Sequence, residues 1–152
     1  MRMFRATVLS AATMFAAVLM TASAGAADYG TAAEASAMLG QAVIEMKADP
    51  AAAIEKFNDP DGAFRDRDLY VFCANVSDGV IIAHPKIIGT DLRTVKDVNG
   101  KPFGAEMLDG AREGEITEVS YMWPRPDAED PVKKNSYVTR LGEHICGVGY
   151  YE

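Results

Sequence analysis

The chain has 152 residues, and its 22 acidic side chains outnumber its 15 basic side chains, which gives a net charge of −7. A surface this acidic repels nucleic acid and anionic lipid, so the charge argues against both as partners. The length fits one domain with its own hydrophobic core and is too short for two.

The first 26 residues have the pattern of a secretory signal peptide. Arg2 and Arg5 precede an apolar run shorter than the roughly 20 residues that span a bilayer, and small residues with Ala-x-Ala spacing follow as far as Ala26. We expect cleavage near Ala26, leaving one domain of residues 27–152 in the periplasm, with 13 basic residues (15 − 2) against 22 acidic ones. The alternative is a retained membrane anchor, but no stop-transfer pattern follows the apolar run.

A helix is predicted directly after this segment. Thr31 and Glu34 have the spacing of a capping box, while Asp49 and Pro50 are typical of an N-cap and first-turn proline that begin a second, shorter helix through Phe57. Apolar residues three and four positions apart form one stripe, so we expect the first helix to pack against a sheet. The stripe consists of Ala35, Met38, Leu39, Ala42, Val43 and Met46.

Beyond Asp68 the pattern becomes that of strands. Leu69 to His84 is predicted to form a β-hairpin around an Asp-Gly turn, and Pro85 ends it. A helix is expected from about Pro102, after a stretch rich in glycine and proline. Three strands follow, and the whole order predicts an α+β domain around an antiparallel sheet of about five strands. These last strands cover residues 116–123, 136–141 and 145–151.

The chain has two cysteines, Cys73 and Cys146. Export places them in an oxidising compartment, where one pair permits one disulfide. The alternative is two buried thiols that pack as small apolar groups. No Cys-x-x-Cys motif or histidine cluster accompanies them, so we expect no metal site.

Five segments of the sequence are typical of one family. In chain order they are DLYVFCANVSDGVIIAHPKIIGTDL, DVNGKPFGAEML, YMWPRP, KNSYV and CGVGYY. They resemble the second type of single Cache domain, an extracytoplasmic sensor module of bacterial chemoreceptors and kinases, over about Ala32 to Tyr151. The resemblance implies a PAS-like fold, with a long N-terminal helix along a central antiparallel sheet and a small-molecule pocket on the other side. It also implies that the first and last strands are neighbours, so that Cys73 and Cys146 can bond across them.

Five residues are candidate ligand contacts, namely Tyr121, Trp123, Lys134, Tyr137 and His84. Tyr121 and Trp123 share a face by the two-residue period of a strand and offer an aromatic wall with polar tips. Lys134 and Tyr137 are at positions where related domains carry ligand-contacting side chains, and a lysine beside aromatic walls suits a small carboxylate. His84, where the family pattern also has histidine, suits a hydroxyl or a carboxylate. The alternatives are that the aromatic pair is core packing and that His84 satisfies nearby backbone.

Two further pairs of residues permit more than one interpretation. Gly147 and Gly149 alternate in the last strand, where they indicate either a close approach of the backbone to ligand or helix, or a bulge. Arg65 and Arg67 are within reach of a carboxylate, but their flanking aspartates are more typical of a solvated charge cluster.

Typical members of the family lie between membrane helices and continue into a signalling module, whereas this sequence ends at Glu152. We therefore expect a periplasmic sensor for a small organic acid that either works with a separate membrane chemoreceptor, kinase or transporter or only captures its ligand. The alternative is a structural or interaction protein with a filled core. We expect no enzyme and no cofactor, because the sequence has no Gly-x-Ser-x-Gly elbow, phosphate-binding loop or His-Glu-x-x-His motif.

Overall fold

The computed structural model describes residues 28–152. The predicted signal peptide therefore lies outside the described residues. Within residues 28–152, no helix is both long enough and apolar enough to cross a membrane.

The order of helices and strands agrees with the order predicted from the sequence. Both predicted N-caps are confirmed: Thr31 Oγ1 accepts from the Glu34 N–H at 3.3 Å, and Asp49 Oδ1 accepts from the Ala52 N–H at 3.1 Å. The elements are α1 (Ala32–Ala48), α2 (Pro50–Asn58), β1 (Arg65–Asp66), β2 (Leu69–Asn75), β3 (Ile81–Ala83), a 3₁₀ turn (Leu92–Thr94), α3 (Phe103–Gly110), β4 (Thr117–Pro124), β5 (Pro131–Leu141) and β6 (His144–Tyr151).

All strands belong to one antiparallel sheet. Its order is β1-β2-β6-β5-β4, and β3 pairs with β2 beside that path. Strand β5 begins at Pro131, five residues before the predicted start, because its first eight residues pair with the whole of β4, as far as Pro124 opposite Pro131. The polar run before Ser136 is therefore strand rather than loop, and one of its lysines points into the protein.

The predicted disulfide is confirmed. Cys73 in β2 lies directly opposite Cys146 in β6, and the two are bonded. Both side chains are completely buried, in the middle of the sheet. The bond therefore joins two strands that are 73 residues apart in sequence.

Each face of the sheet has its own core. Helices α1 and α2 cover one face, hereafter the helix face, where the buried residues include Leu39, Met46, Phe57, Val71, Cys73, Cys146 and Val148. Helix α3 and the segment before it cover the other, hereafter the pocket face, where they include Tyr70, Phe72, Ile81, Phe103, Met107, Tyr121, Val138 and Ile145. The position of α1 agrees with the prediction that the long N-terminal helix packs along the sheet.

Candidate ligand-binding site

Lys134 is buried on the pocket face. Its side chain is 0% exposed, and its Nζ donates hydrogen bonds to Tyr70 Oη at 2.7 Å and Tyr151 Oη at 3.2 Å. Burial lowers its pKa to about 7, although the charge of Asp68 acts in the opposite direction. Within residues 28–152 Lys134 forms no ion pair, so its ammonium group is enclosed by neutral phenols.

The glycines of β6 make room for this arrangement. A Cβ at Gly149 would lie 2.2 Å from Lys134 Cε, and a Cβ at Gly147 would lie 2.5 Å from Phe72 Cζ. Both distances are shorter than any normal carbon contact, so a larger residue would displace the lysine stem or the phenylalanine ring. The sequence predicts that another group lies close to the backbone at Gly147 and Gly149, and in the structure these groups are the side chains of Phe72 and Lys134 on the pocket face.

An aromatic cluster forms the wall beside Lys134. The ring of Phe103, at the start of α3, stacks on Tyr121 with 3.9 Å between centroids, and Trp123 meets Phe103 edge-on at 5.4 Å. The Tyr121 hydroxyl shares a hydrogen bond of 2.8 Å with Ser136 Oγ. Tyr121 is buried and Trp123 is half-buried, so the wall has a packed inner end and a more open outer end.

His84 closes another side of the same region. Its ring lies edge-on to Tyr70 at 5.0 Å, and its Nδ1 accepts from the N–H groups of Lys86 at 3.0 Å and Ile87 at 3.3 Å. Burial, together with the nearby positive charges of Lys134 and Arg65, lowers the pKa of His84 to about 3. The ring is therefore neutral, with its proton on Nε2, which donates to no protein group among residues 28–152.

Two small cavities lie between these groups. Both are lined by Tyr70, His84, Ile87 and Trp123. The outer cavity, of about 60 Å³, extends to Pro85, Pro124 and Pro126, and the inner cavity, of about 20 Å³, extends to the Phe103 and Tyr121 rings. A water molecule takes up about 30 Å³ in the liquid, so the outer cavity has space for about two water molecules.

Tyr137 is separated from the other candidate residues. It is opposite Glu118 in the β4–β5 ladder, and its ring packs 5.5 Å from that of Tyr150. Both tyrosines contact the core on the helix face. The structure therefore brings Tyr121, Trp123, Lys134 and His84 together and places Tyr137 on the opposite face.

The sequence predicts that Asp68 belongs to a solvated charge cluster with Arg65 and Arg67, and this prediction is wrong for Asp68. This carboxylate is 4% exposed, accepts from the Gly30 N–H at 2.7 Å and pairs with Arg125 Nε at 3.2 Å. The Arg125 guanidinium lies over the rings of Tyr29 at 4.0 Å and Tyr151 at 4.9 Å. The β2 strand, the β4–β5 turn and the residues before α1 are thereby held together behind Tyr151.

Tyr70 and Tyr151 are functional candidates that sequence reasoning missed, and Arg65 is one that it considered only as the less favoured alternative to a solvated charge cluster. Tyr70 and Tyr151 hold the Lys134 ammonium group, and Arg65 lies directly opposite Tyr70 in the β1–β2 ladder. Tyr70 alternates with Leu69 and Val71 in an apolar strand, so its sequence pattern is that of core. The one available signal is that strands β2 and β6 each contribute a tyrosine to the same face as Lys134.

A larger groove of about 710 Å³ lies at the end of α1, beside the β5–β6 turn. Its lining includes exposed charged residues such as Lys47, Glu113 and Arg140, and none of the candidate ligand residues. Because it is open and has no buried ionisable side chain, we assign the candidate site to the pocket face.

The sequence of this chain is similar to that of a chemotaxis receptor. The profile of single Cache domain 2 matches residues 9–151. The methyl-accepting chemotaxis protein McpP of Pseudomonas putida is 33% identical over 90 residues, which are 57% of this chain. The match covers 16% of the length of that curated relative.

Three solved structures share the fold. A methyl-accepting chemotaxis protein of Vibrio parahaemolyticus has a TM-score of 0.64 and 23% identity, with 78% of this chain and 86% of that chain covered. The periplasmic sensor domain of a chemotaxis protein has a TM-score of 0.60 and 25% identity, with 77% and 87% covered. A Cache chemosensory domain, described for its recognition of carboxylic acids, has a TM-score of 0.56 and 28% identity, with 77% and 85% covered. The chain belongs to the single Cache domain 2 family.

Proposed function

We propose that this protein is a periplasmic sensor domain that binds a small carboxylate through Lys134 on the pocket face. One observation carries the proposal: a completely buried lysine, without any carboxylate partner among residues 28–152, beside small cavities with aromatic walls. Buried charges in proteins are normally paired, so an unpaired lysine in such a place is suited to an anion that comes from outside.

The hydrogen-bond donors around the cavities support an acid rather than an amine. Lys134 Nζ already donates to two phenols, and a carboxylate oxygen would accept a stronger, charge-assisted bond from the same ammonium group. The neutral His84 ring offers its Nε2 proton as a second donor. An arriving anion also favours the charged form of Lys134, which burial disfavours.

The size of the outer cavity limits the ligand. A cavity of about 60 Å³ favours the shortest acids, of two or three carbons, including hydroxy acids. A related Cache domain of 28% identity is described for carboxylic acid recognition, which supports this ligand class. We propose that ligand occupancy is passed to a membrane chemoreceptor, kinase or transporter, and that the ligand leaves chemically unchanged.

The stacked inner end of the wall favours a second candidate function. Tyr121 and Phe103 fill most of the space beside the inner cavity of about 20 Å³, as expected of a structural or interaction protein with a filled core. Such a protein would bind no acid. A ligand that binds only the folded state raises the free energy of unfolding by about 2.7 kcal/mol at 100 times its dissociation constant, so a thermal-shift screen separates the two candidates.

The decisive experiment is calorimetric titration of acetate, glycolate, propionate, lactate and pyruvate into the parent protein and two lysine variants. Lys134→Ala is expected to weaken binding by roughly 30-fold to several thousandfold, which corresponds to about 2 to 5 kcal/mol for one partner of a desolvated charged pair. Lys133→Ala is the matched control, because Lys133 is exposed and pairs with Glu152 at 2.7 Å. The proposal is wrong if no acid binds the parent, or if both variants bind as the parent does.

A further inference from the structure

Arg65 is half-buried next to the candidate site and has no partner for its charge. Its side chain forms no hydrogen bond or ion pair with any other residue of the described range. Its Nε is the one buried side-chain nitrogen or oxygen among residues 28–152 that lacks a hydrogen-bond partner. An enclosed N–H without an acceptor is costly, so an unsatisfied guanidinium requires an explanation.

The β1–β2 hairpin directs Arg65 towards the pocket face. Arg65 is directly opposite Tyr70, and side chains of directly opposed residues leave a sheet on the same face. The hairpin turns at Arg67, whose backbone has a left-handed φ of 57°. Ion pairs of 2.7 Å from Arg67 to Asp66 and to Glu34 hold this turn in place. The direction of Arg65 is therefore fixed by the strand register.

The charge of Arg65 acts on the groups that line the cavities. Burial is the main reason why the pKa of His84 is low and the pKa of Tyr70 is high, but the positive charge of Arg65 lowers both values. Tyr70 and His84 line the inner and the outer cavity. The guanidinium thus lies within electrostatic range of the space that the ligand is proposed to occupy.

We propose that Arg65 is a second cationic contact of the site and binds the ligand carboxylate from the side of β1. This inference rests on the proposed function. The planar fork of a guanidinium group can donate two parallel hydrogen bonds to a carboxylate. Lys134, by contrast, contributes a single point of charge from the middle of the sheet. The ligand would then supply the acceptor that Arg65 Nε lacks.

The first test compares acetate binding by the parent, Arg65→Gln, Arg65→Lys and Arg140→Gln in calorimetry. Arg65→Gln is expected to weaken binding by about 10-fold to 100-fold, because a charge-assisted contact is lost, and Arg65→Lys should fall between it and the parent. Arg140, which is exposed on β5 and donates to the Gly142 carbonyl at 2.9 Å, is the control and should leave affinity unchanged.

A second readout separates a ligand contact from a structural role. Because Arg65 has no protein partner to lose, the melting temperature of Arg65→Gln without acetate is expected to equal or exceed that of the parent. In proton–nitrogen NMR spectra of the parent, the Arg65 Nε–H signal, assigned by its absence in Arg65→Gln, should shift as acetate is added and saturate at the calorimetric affinity.

The outcomes distinguish this inference from the proposed function. If acetate binds the parent and Arg65→Gln equally well and the Nε–H signal does not move, Arg65 is no ligand contact, while the role of Lys134 stands. A lower melting temperature of Arg65→Gln without acetate also overturns the inference. If the parent binds neither acetate nor any other short acid, both the proposed function and this inference are wrong.

Discussion

The two faces of the sheet are built from the same strands but bury different chemistry. The helix face packs aliphatic and small side chains, Phe57 and Phe64, and the disulfide under α1 and α2. The pocket face carries both the buried lysine and the buried histidine of the described residues, together with a cluster of aromatic rings. Lys133 and Lys134 are neighbours in β5, yet one is exposed and the other completely buried. Strand alternation thus separates an apolar face that carries the disulfide from the face on which we propose that the ligand binds.

The largest expected effect concerns the helix face. Replacing Cys73 and Cys146 together by alanine removes a bond between residues 73 apart, which should lower the free energy of unfolding by about 4 kcal/mol in the chain-entropy account. Urea unfolding of parent and variant measures the loss. Acetate affinity should stay the same under conditions where the variant is folded, because the bond lies on the face opposite the site. A large change in affinity would show that the two faces are not independent.

The pH dependence of stability is the next prediction, and it concerns the pocket face. The pKa of Lys134 is about 7 in the folded protein, below its usual value of about 10.4, so between these values the unfolded chain binds more protons. In the absence of ligand, Lys134 should therefore make the parent more stable as pH rises, by up to about 1.4 kcal/mol per pH unit.

Comparison with Lys134→Met between pH 7 and 9 isolates this contribution. Tyr70 and Tyr151, which contact Lys134, have raised pKa values and stay neutral over this range, as does His84. The variant should lack the rise in the free energy of unfolding that the parent shows in urea titrations. If the free energy of unfolding changes with pH in the same way in both proteins, the Lys134 side chain is not desolvated.

How far the sequence could predict this molecule also differs between the two faces. The helix face follows from caps, spacing and turn residues, and the family resemblance added the strand order that opposes Cys73 and Cys146. Tyr137 is a candidate because of its position in the family pattern. The predicted strand begins only at Ser136, so the prediction does not show that Tyr137 and Lys134 have opposite parity in one strand. The sequence predicts a solvated charge cluster at Arg65 and Asp68, whereas both are at least half-buried, because burial of a charged hairpin depends on what packs over it, which local sequence does not show.

A smaller effect is expected from the glycine that makes room for Lys134. Gly149→Ala would place a methyl group 2.2 Å from Lys134 Cε and 2.4 Å from Ser136 Oγ, so the lysine stem must move. Overpacking of this kind typically costs about 1–3 kcal/mol of stability, and displacement of Lys134 should also weaken acetate binding. Gly40→Ala on α1 is the control, because a methyl group there has no atom within 4 Å apart from neighbouring residues of its own helix. Gly142→Ala is unsuitable as a control, because Gly142 has a left-handed φ of 63°. Equal affinity of Gly149→Ala and the parent would contradict a fixed Lys134.

The smallest effect is expected at Lys133. Its ion pair with Glu152 is half exposed on both sides, and such surface pairs contribute about 0–1 kcal/mol. Lys133→Ala should therefore change the melting temperature little and the acetate affinity not at all. A loss of affinity comparable to that of Lys134→Ala would mean that general surface charge, rather than strand parity, governs binding.

The central claim, that the Lys134 ammonium group meets the ligand carboxylate, is tested most directly by proton uptake on binding. At pH 8 a lysine with a pKa of about 7 is mostly neutral, so a bound carboxylate that restores its charge should draw in roughly 0.9 proton per site. Calorimetric titration of the tightest-binding short acid in two buffers of different ionisation enthalpy measures this number. The account predicts uptake approaching one proton in the parent and in Lys133→Met. Binding of the acid without proton uptake would contradict it.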